Sequence, residues 1–141
     1  MEMRQGMPKT NKSNILIVDD DENILDVIST GLGDAGFSVD TARTGKEAIE
    51  KSQTSFHNLA LVDIRLPDIE GTKLVKDLKA ARTELVVIIL TGYPTLQNAV
   101  DALNNGADAY LMKPVRMKDI LEVVGEKLRK QEELYLYMLE K

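Results

Sequence analysis

The sequence contains no cysteine, which excludes thiol nucleophiles, cysteine zinc centres and disulfides, and fits a reducing compartment. It has no long apolar run either. The longest, Leu85–Leu90 and Leu134–Leu139, hold six residues each, whereas a membrane span needs about 20. No apolar core follows Met1, so no signal peptide is expected and the chain reads as cytoplasmic. Basic excess is also missing: 18 Lys and Arg against 23 Asp and Glu leave a formal charge of −5. That argues against direct nucleic-acid binding and against attraction to anionic membranes. The single histidine, His57, stands in a polar stretch with no partner of its own and reads as a surface residue. What remains is 141 residues, 43% apolar and 29% charged. This suits one domain whose core needs neither metal nor disulfide to fold.

Residues 1–13 are polar and read as a disordered N-terminal arm, residues 14–130 as the domain, and residues 131–141 as a helical extension or linker. Five strands are expected at Ile15–Val18, Ser38–Ala42, Leu59–Ile64, Leu85–Leu90 and Ala109–Met112. Three are near-continuous runs of Val, Ile and Leu, the pattern of strands covered on both faces. Between them, Glu22–Leu32, Gly45–Ser52, Thr72–Ala81 and Thr95–Asn105 carry apolar residues three or four apart and read as helices. Thr44 and Glu47 form a capping-box pattern, and Asn105-Gly106 marks a helix end. Strand–helix repeats without hairpin signals imply right-handed crossovers. The expected fold is therefore α/β: a doubly wound, five-stranded parallel sheet of flavodoxin-like order in three αβα layers.

In such a sheet ligands bind beyond the carboxyl ends of the strands. Asp19, Asp20 and Asp21 follow the first strand and Asp63 ends the third. Thr91 and Gly92 follow the fourth, and Lys113 and Pro114 the fifth. Clustered carboxylates repel one another and offer only oxygen ligands, and a hard cation such as Mg²⁺ relieves both problems. An ammonium and a hydroxyl beside them suit the equatorial oxygens of a phosphoryl group. The rim reads as metal-assisted phosphoryl transfer onto an aspartate.

The segments ILIVDDDENIL (Ile15–Leu25), LALVDIRLPDIEG (Leu59–Gly71), VIILTGYP (Val87–Pro94) and GADAYLMKP (Gly106–Pro114) resemble the receiver domains of two-component response regulators. The resemblance covers about Ile15 to Lys130. It implies that Asp63 accepts a phosphoryl group from the phosphohistidine of a sensor histidine kinase. Mg²⁺ would be held by Asp20, by Asp63, by Asp19 largely through water, and by the backbone carbonyl of Arg65. Lys113 would pair with Asp63 and then with the phosphoryl group. Thr91 would turn its hydroxyl inward and Tyr110 would swing in as the aromatic switch. Gly92 would leave room for the group, while Arg65 and Tyr93 would tune self-dephosphorylation. The protein would be a signalling switch rather than an enzyme with its own substrate. Its output surface would be the face of the fourth helix, fifth strand and fifth helix. Asp21 stands where many members carry Glu, and is expected to serve as a first-turn charge on the helix.

Two other functions fit parts of the pattern. A haloacid-dehalogenase-type phosphatase would use Asp19 as nucleophile with Asp21 two residues on, but leaves Asp63 without a role. A pseudo-receiver would bind partners unphosphorylated. A flavin carrier would need Ser, Thr and Gly amides where three aspartates stand. Gly31–Gly36 matches GxGxxG but follows a helix and precedes a strand, the reverse of a dinucleotide fingerprint. Gly45-Lys46 lacks the rest of a P-loop. Lys73, Lys76, Lys79 and Arg82 read as one solvated helix face. Met117, Leu121, Val124, Leu128, Tyr135 and Met138 keep a four–three spacing broken at Gln131. This fits a fifth helix running past the domain edge, with a short coiled-coil seam that would support a homodimer.

Overall fold

A strand apolar at every position has two faces to hide. The computed structural model, which describes residues 13–140, covers both faces with helices. In chain order the elements are β1 (Asn14–Val18), α1 (Glu22–Asp34), β2 (Ser38–Ala42), α2 (Gly45–Thr54), β3 (Leu59–Val62), α3 (Gly71–Ala81), β4 (Val86–Thr91), α4 (Leu96–Asn104), β5 (Ala109–Met112) and α5 (Met117–Leu139). All pairings within the sheet are parallel and its order is β2-β1-β3-β4-β5, the doubly wound arrangement expected. Residues 1–12 of the expected N-terminal arm lie outside the described residues.

Strand alternation divides the core into two layers. Leu16, Val18, Ala60, Val62, Val87 and Ile89 face α2, α3 and α4, which contribute Ala48, Leu74, Val75, Leu78 and Ala102. Ile15, Ile17, Leu59, Leu61, Ile88 and Leu90 face α1 and α5, which contribute Leu25, Ile28, Leu32, Ile120 and Val124. Each large aliphatic side chain buried in this way contributes about 1.5–3 kcal/mol. Local signals set the helix ends. The Asp21 side chain caps α1 by accepting the N–H groups of Asn23 and Ile24. Thr44 accepts the N–H of Glu47, whose own carboxylate returns to the N–H of Arg43. Gly106, at φ +104°, lets the chain leave α4 in a conformation that side chains disfavour.

Three expectations need correction. His57 is not a surface residue: it is 2% exposed, its Nε2 lies 2.8 Å from Asp40 Oδ2, and its carbonyl accepts from Arg82 Nη1 at 2.6 Å. The lysine–arginine stripe on α3 is solvated only at Lys73 and Lys76. Lys79 pairs with Asp108 at 2.8 Å, and the Arg82 guanidinium lies 4.1 Å over the Phe56 ring. A helix flanked by neighbours on both sides has no continuous wet face.

The third correction concerns α5. Its four–three stripe packs on the protein's own sheet through Met117, Leu121, Val124 and Leu128. Gln131 continues that face, buried, with its Nε2 donating to the carbonyls of Asn58 and Glu84 at 3.0 and 2.9 Å. That stretch is therefore no free coiled-coil seam. Beyond it Leu134, Leu136, Tyr137, Met138 and Leu139 are exposed. No described helix is long and apolar enough to cross a membrane.

Candidate functional site

Strand register brings the rim residues together. Val18 pairs with both Ala42 and Val62, and Thr91 pairs with Met112, so β1, β3, β4 and β5 end at a common edge. One more ladder bond beyond each end fixes the candidate residues. Asp19 N–H donates to Ala42 O at 3.0 Å, Asp63 N–H to Val18 O at 2.9 Å, and Lys113 N–H to Thr91 O at 2.7 Å. Asp19 and Asp63 thus leave neighbouring strands side by side, both buried, with Asp20 exposed at the mouth. One carboxylate oxygen from each of the three lies within 4.8 Å of the others. That oxygen-only donor set, of like charge, suits a hard divalent cation. The tripeptide Asp19–Asp21 therefore divides its work, since Asp21 is the helix cap.

A single ammonium reaches both buried carboxylates. Lys113 Nζ lies 3.0 Å from Asp19 Oδ2 and 3.7 Å from Asp63 Oδ2. The closer contact is with Asp19, not with Asp63 as the sequence suggested, and Asp19 is the more buried of the two side chains. Asp63 receives the N–H of Arg65 at 3.4 Å. These attractions do not offset its surroundings: burial first, then the charge of Asp19, push the Asp63 carboxyl up to about 6. Thr91 is fully buried, and its hydroxyl accepts the N–H of Tyr93 at 2.9 Å. Gly92 lies against the Lys113 stem, where an added Cβ would make ordinary contact at 3.8 Å. The Arg65 guanidinium stacks 3.8 Å over the Tyr93 ring, joining the loops that follow β3 and β4. Tyr110 packs with the α2–α3–α4 layer, and its buried hydroxyl makes no hydrogen bond among the described residues. A cis peptide bond joins Lys113 to Pro114.

The model of the response regulator receiver domain matches residues 15–125. The chain belongs to this family. A CheY-like receiver domain protein from Methanospirillum hungatei JF-1 is 48% identical, with a TM-score of 0.85 over 86% of this chain and 98% of that one. The BeF3-activated DrrB receiver domain is 30% identical, with a TM-score of 0.78 over 84% of this chain and 98% of that one. "Probable transcriptional regulatory protein SilR" of Salmonella typhimurium is 37% identical over 82% of this chain and 51% of its own length. The receiver chain therefore spans about half the length of that curated relative. Receiver domains are signalling modules that bind Mg²⁺ at an acidic pocket and are phosphorylated by sensor histidine kinases. The phosphatase alternative falls, because the curated relatives are regulatory proteins.

Two residues escaped the sequence reading. Asp68 accepts the N–H groups of Gly45 and Lys46, both at 2.9 Å. Gly71 packs so tightly that a Cβ there would collide with the backbone of Asp63 and Ile64. The signal lay in the eight residues after Asp63, which hold both the acid and the glycine of the loop between strand and helix.

Proposed function

We propose that Asp63 is the phosphoacceptor of a signalling switch. Its carboxylate oxygen attacks the phosphorus of a phosphohistidine on a sensor kinase. The P–N bond breaks, the imidazole leaves with its electron pair, and an acyl phosphate forms on Asp63. Asp19, Asp20, Asp63 and the Arg65 carbonyl are the ligands for Mg²⁺, which when bound offsets the charge of the carboxylates and of the incoming phosphoryl oxygens. Lys113 stands between the two buried carboxylates, so on transfer its ammonium can turn to a phosphoryl oxygen. Thr91 gives up the N–H of Tyr93 to donate its hydroxyl to another. Tyr110 then settles against the space that Thr91 leaves, altering the face of α4, β5 and α5. Leu96, 82% exposed, with Leu103 and Met112, makes that face apolar enough to take a partner or a second copy. The exposed end of α5, in the 131–141 extension, is a second candidate homodimer surface. Arg65 and Tyr93, stacked across the entrance, and Gly92 set how readily water reaches the acyl phosphate. Direct nucleic-acid binding is no part of this reading for these residues.

One observation carries it: two buried carboxylates on adjacent strand ends with a single cation in reach of both. The test is intact-protein mass after incubation with acetyl phosphate, with and without Mg²⁺. A gain of one phosphoryl group is expected, lost in Asp63→Asn and lost without Mg²⁺. No gain, together with no binding of beryllofluoride, would make the protein a pseudo-receiver.

A further inference from the structure

The Arg65 carbonyl belongs to the loop between β3 and α3, residues 63–70, which has no regular structure to hold it. Three ties fix it instead. At its base, Gly71 N–H donates to Ile64 O at 2.7 Å, and Arg65 and Glu70 form a single antiparallel bridge. At its entrance, Arg65 N–H reaches back to Asp63. At its tip, Asp68 leaves the loop altogether: Oδ1 accepts from Gly45 N–H and Oδ2 from Lys46 N–H, both at 2.9 Å. Ile69 fills the space that the missing side chain of Gly45 leaves.

Gly45 and Lys46 open α2, a ten-residue helix. Its first N–H groups have no partner within the helix, and Thr44 serves only that of Glu47. The carboxylate that completes the cap comes from the loop carrying two of the expected metal ligands. Those N–H donors hold the Asp68 carboxyl below its ordinary value, so it is ionised at neutral pH. A helix cap of local origin would leave the loop and α2 independent. This one joins them, so a shift of the loop breaks the cap and a loss of the cap frees the loop.

We propose that Asp68 is a positioning residue for the divalent cation: by fastening the tip of the β3–α3 loop to α2, it holds the Arg65 carbonyl where the metal needs it. The inference rests on the metal-dependent reading of the site. Titration calorimetry of Mg²⁺ into the full chain, with no phosphodonor, tests it. Asp68→Ala is expected to weaken Mg²⁺ binding about tenfold, as for other lost outer-shell partners. Asp68→Asn loses the charge but keeps one acceptor oxygen, and should weaken binding only about threefold. Glu50→Gln, an equal charge change beside the same loop, should stay within about twofold. Affinity of Asp68→Ala within about twofold of wild type, even with a lower melting temperature, would reduce Asp68 to a helix cap and overturn the proposal. Equal losses in Asp68→Ala, Asp68→Asn and Glu50→Gln would also overturn it, since charge alone would then account for the effect. A wild-type chain that binds no Mg²⁺ would instead defeat the metal reading itself.

Discussion

The two rims of the sheet treat polar groups in opposite ways. At the amino rim polar side chains find partners of their own: His57 with Asp40, Arg82 with the His57 carbonyl and the Phe56 ring, Gln131 with two carbonyls. At the carboxyl rim two buried carboxylates share one ammonium, with a third carboxylate exposed beside them. Folding alone does not call for such an arrangement, because each unpaired buried charge destabilises the native state. The amino rim is built for stability and the carboxyl rim for a ligand that brings positive charge.

The contrast can be sharpened by removing groups from either rim. The largest effect is expected for Lys113→Met, which leaves two buried carboxylates without a cation. Stability at pH 7 should fall by about 3–5 kcal/mol, and added Mg²⁺ should restore part of it. Urea unfolding with and without Mg²⁺ measures both. Asp63→Asn acts in the other direction. The native state holds the Asp63 proton more tightly than the unfolded chain, so its ionisation lowers stability as pH rises from the ordinary value of 3.8 through about 6. Without Mg²⁺ the substitution should raise stability at pH 7 by about 1–3 kcal/mol. That gain should vanish towards pH 4, and equal gains at both pH values would contradict the assignment.

At the amino rim Gln131→Ala removes the donor from two carbonyls, for an expected loss of about 1–2 kcal/mol with phosphorylation unchanged. A change in phosphoryl uptake there would break the division of labour between the rims. The smallest effect on stability is expected from removing residues 138–141, beyond the partly buried Tyr135, which should stay within about 0.5 kcal/mol. If the exposed end of α5 mediates self-association, sedimentation should show the full chain heavier than the shortened one.

How much of this was legible in the sequence follows the same divide. In a parallel sheet the ligand rim lies directly after each apolar run. Asp19, Asp63, Thr91 and Lys113 could therefore be found by reading one residue past each run, and the fold came from the same runs. The amino rim had no such marker. His57 meets Asp40 across 17 positions, Arg82 meets the His57 carbonyl across 25, and Gln131 meets Asn58 across 73. A polar residue in a loop looks the same in sequence whether it ends up wet or buried. The stripe on α5 misled for a related reason: a helix facing its own sheet and a helix facing a partner show one period. Asp68 was hidden because its partners are backbone N–H groups, which every residue but proline carries.

The seat of Gln131 also decides where the support of α5 ends. From Met117, packed into the gap at Gly31, to Gln131 the helix measures about 21 Å, and from Gln131 to Leu139 about 12 Å. Seated on the sheet by Met117, Leu121, Val124 and Leu128 and anchored last at Gln131, the helix carries its exposed end as an overhang cantilevered from the domain.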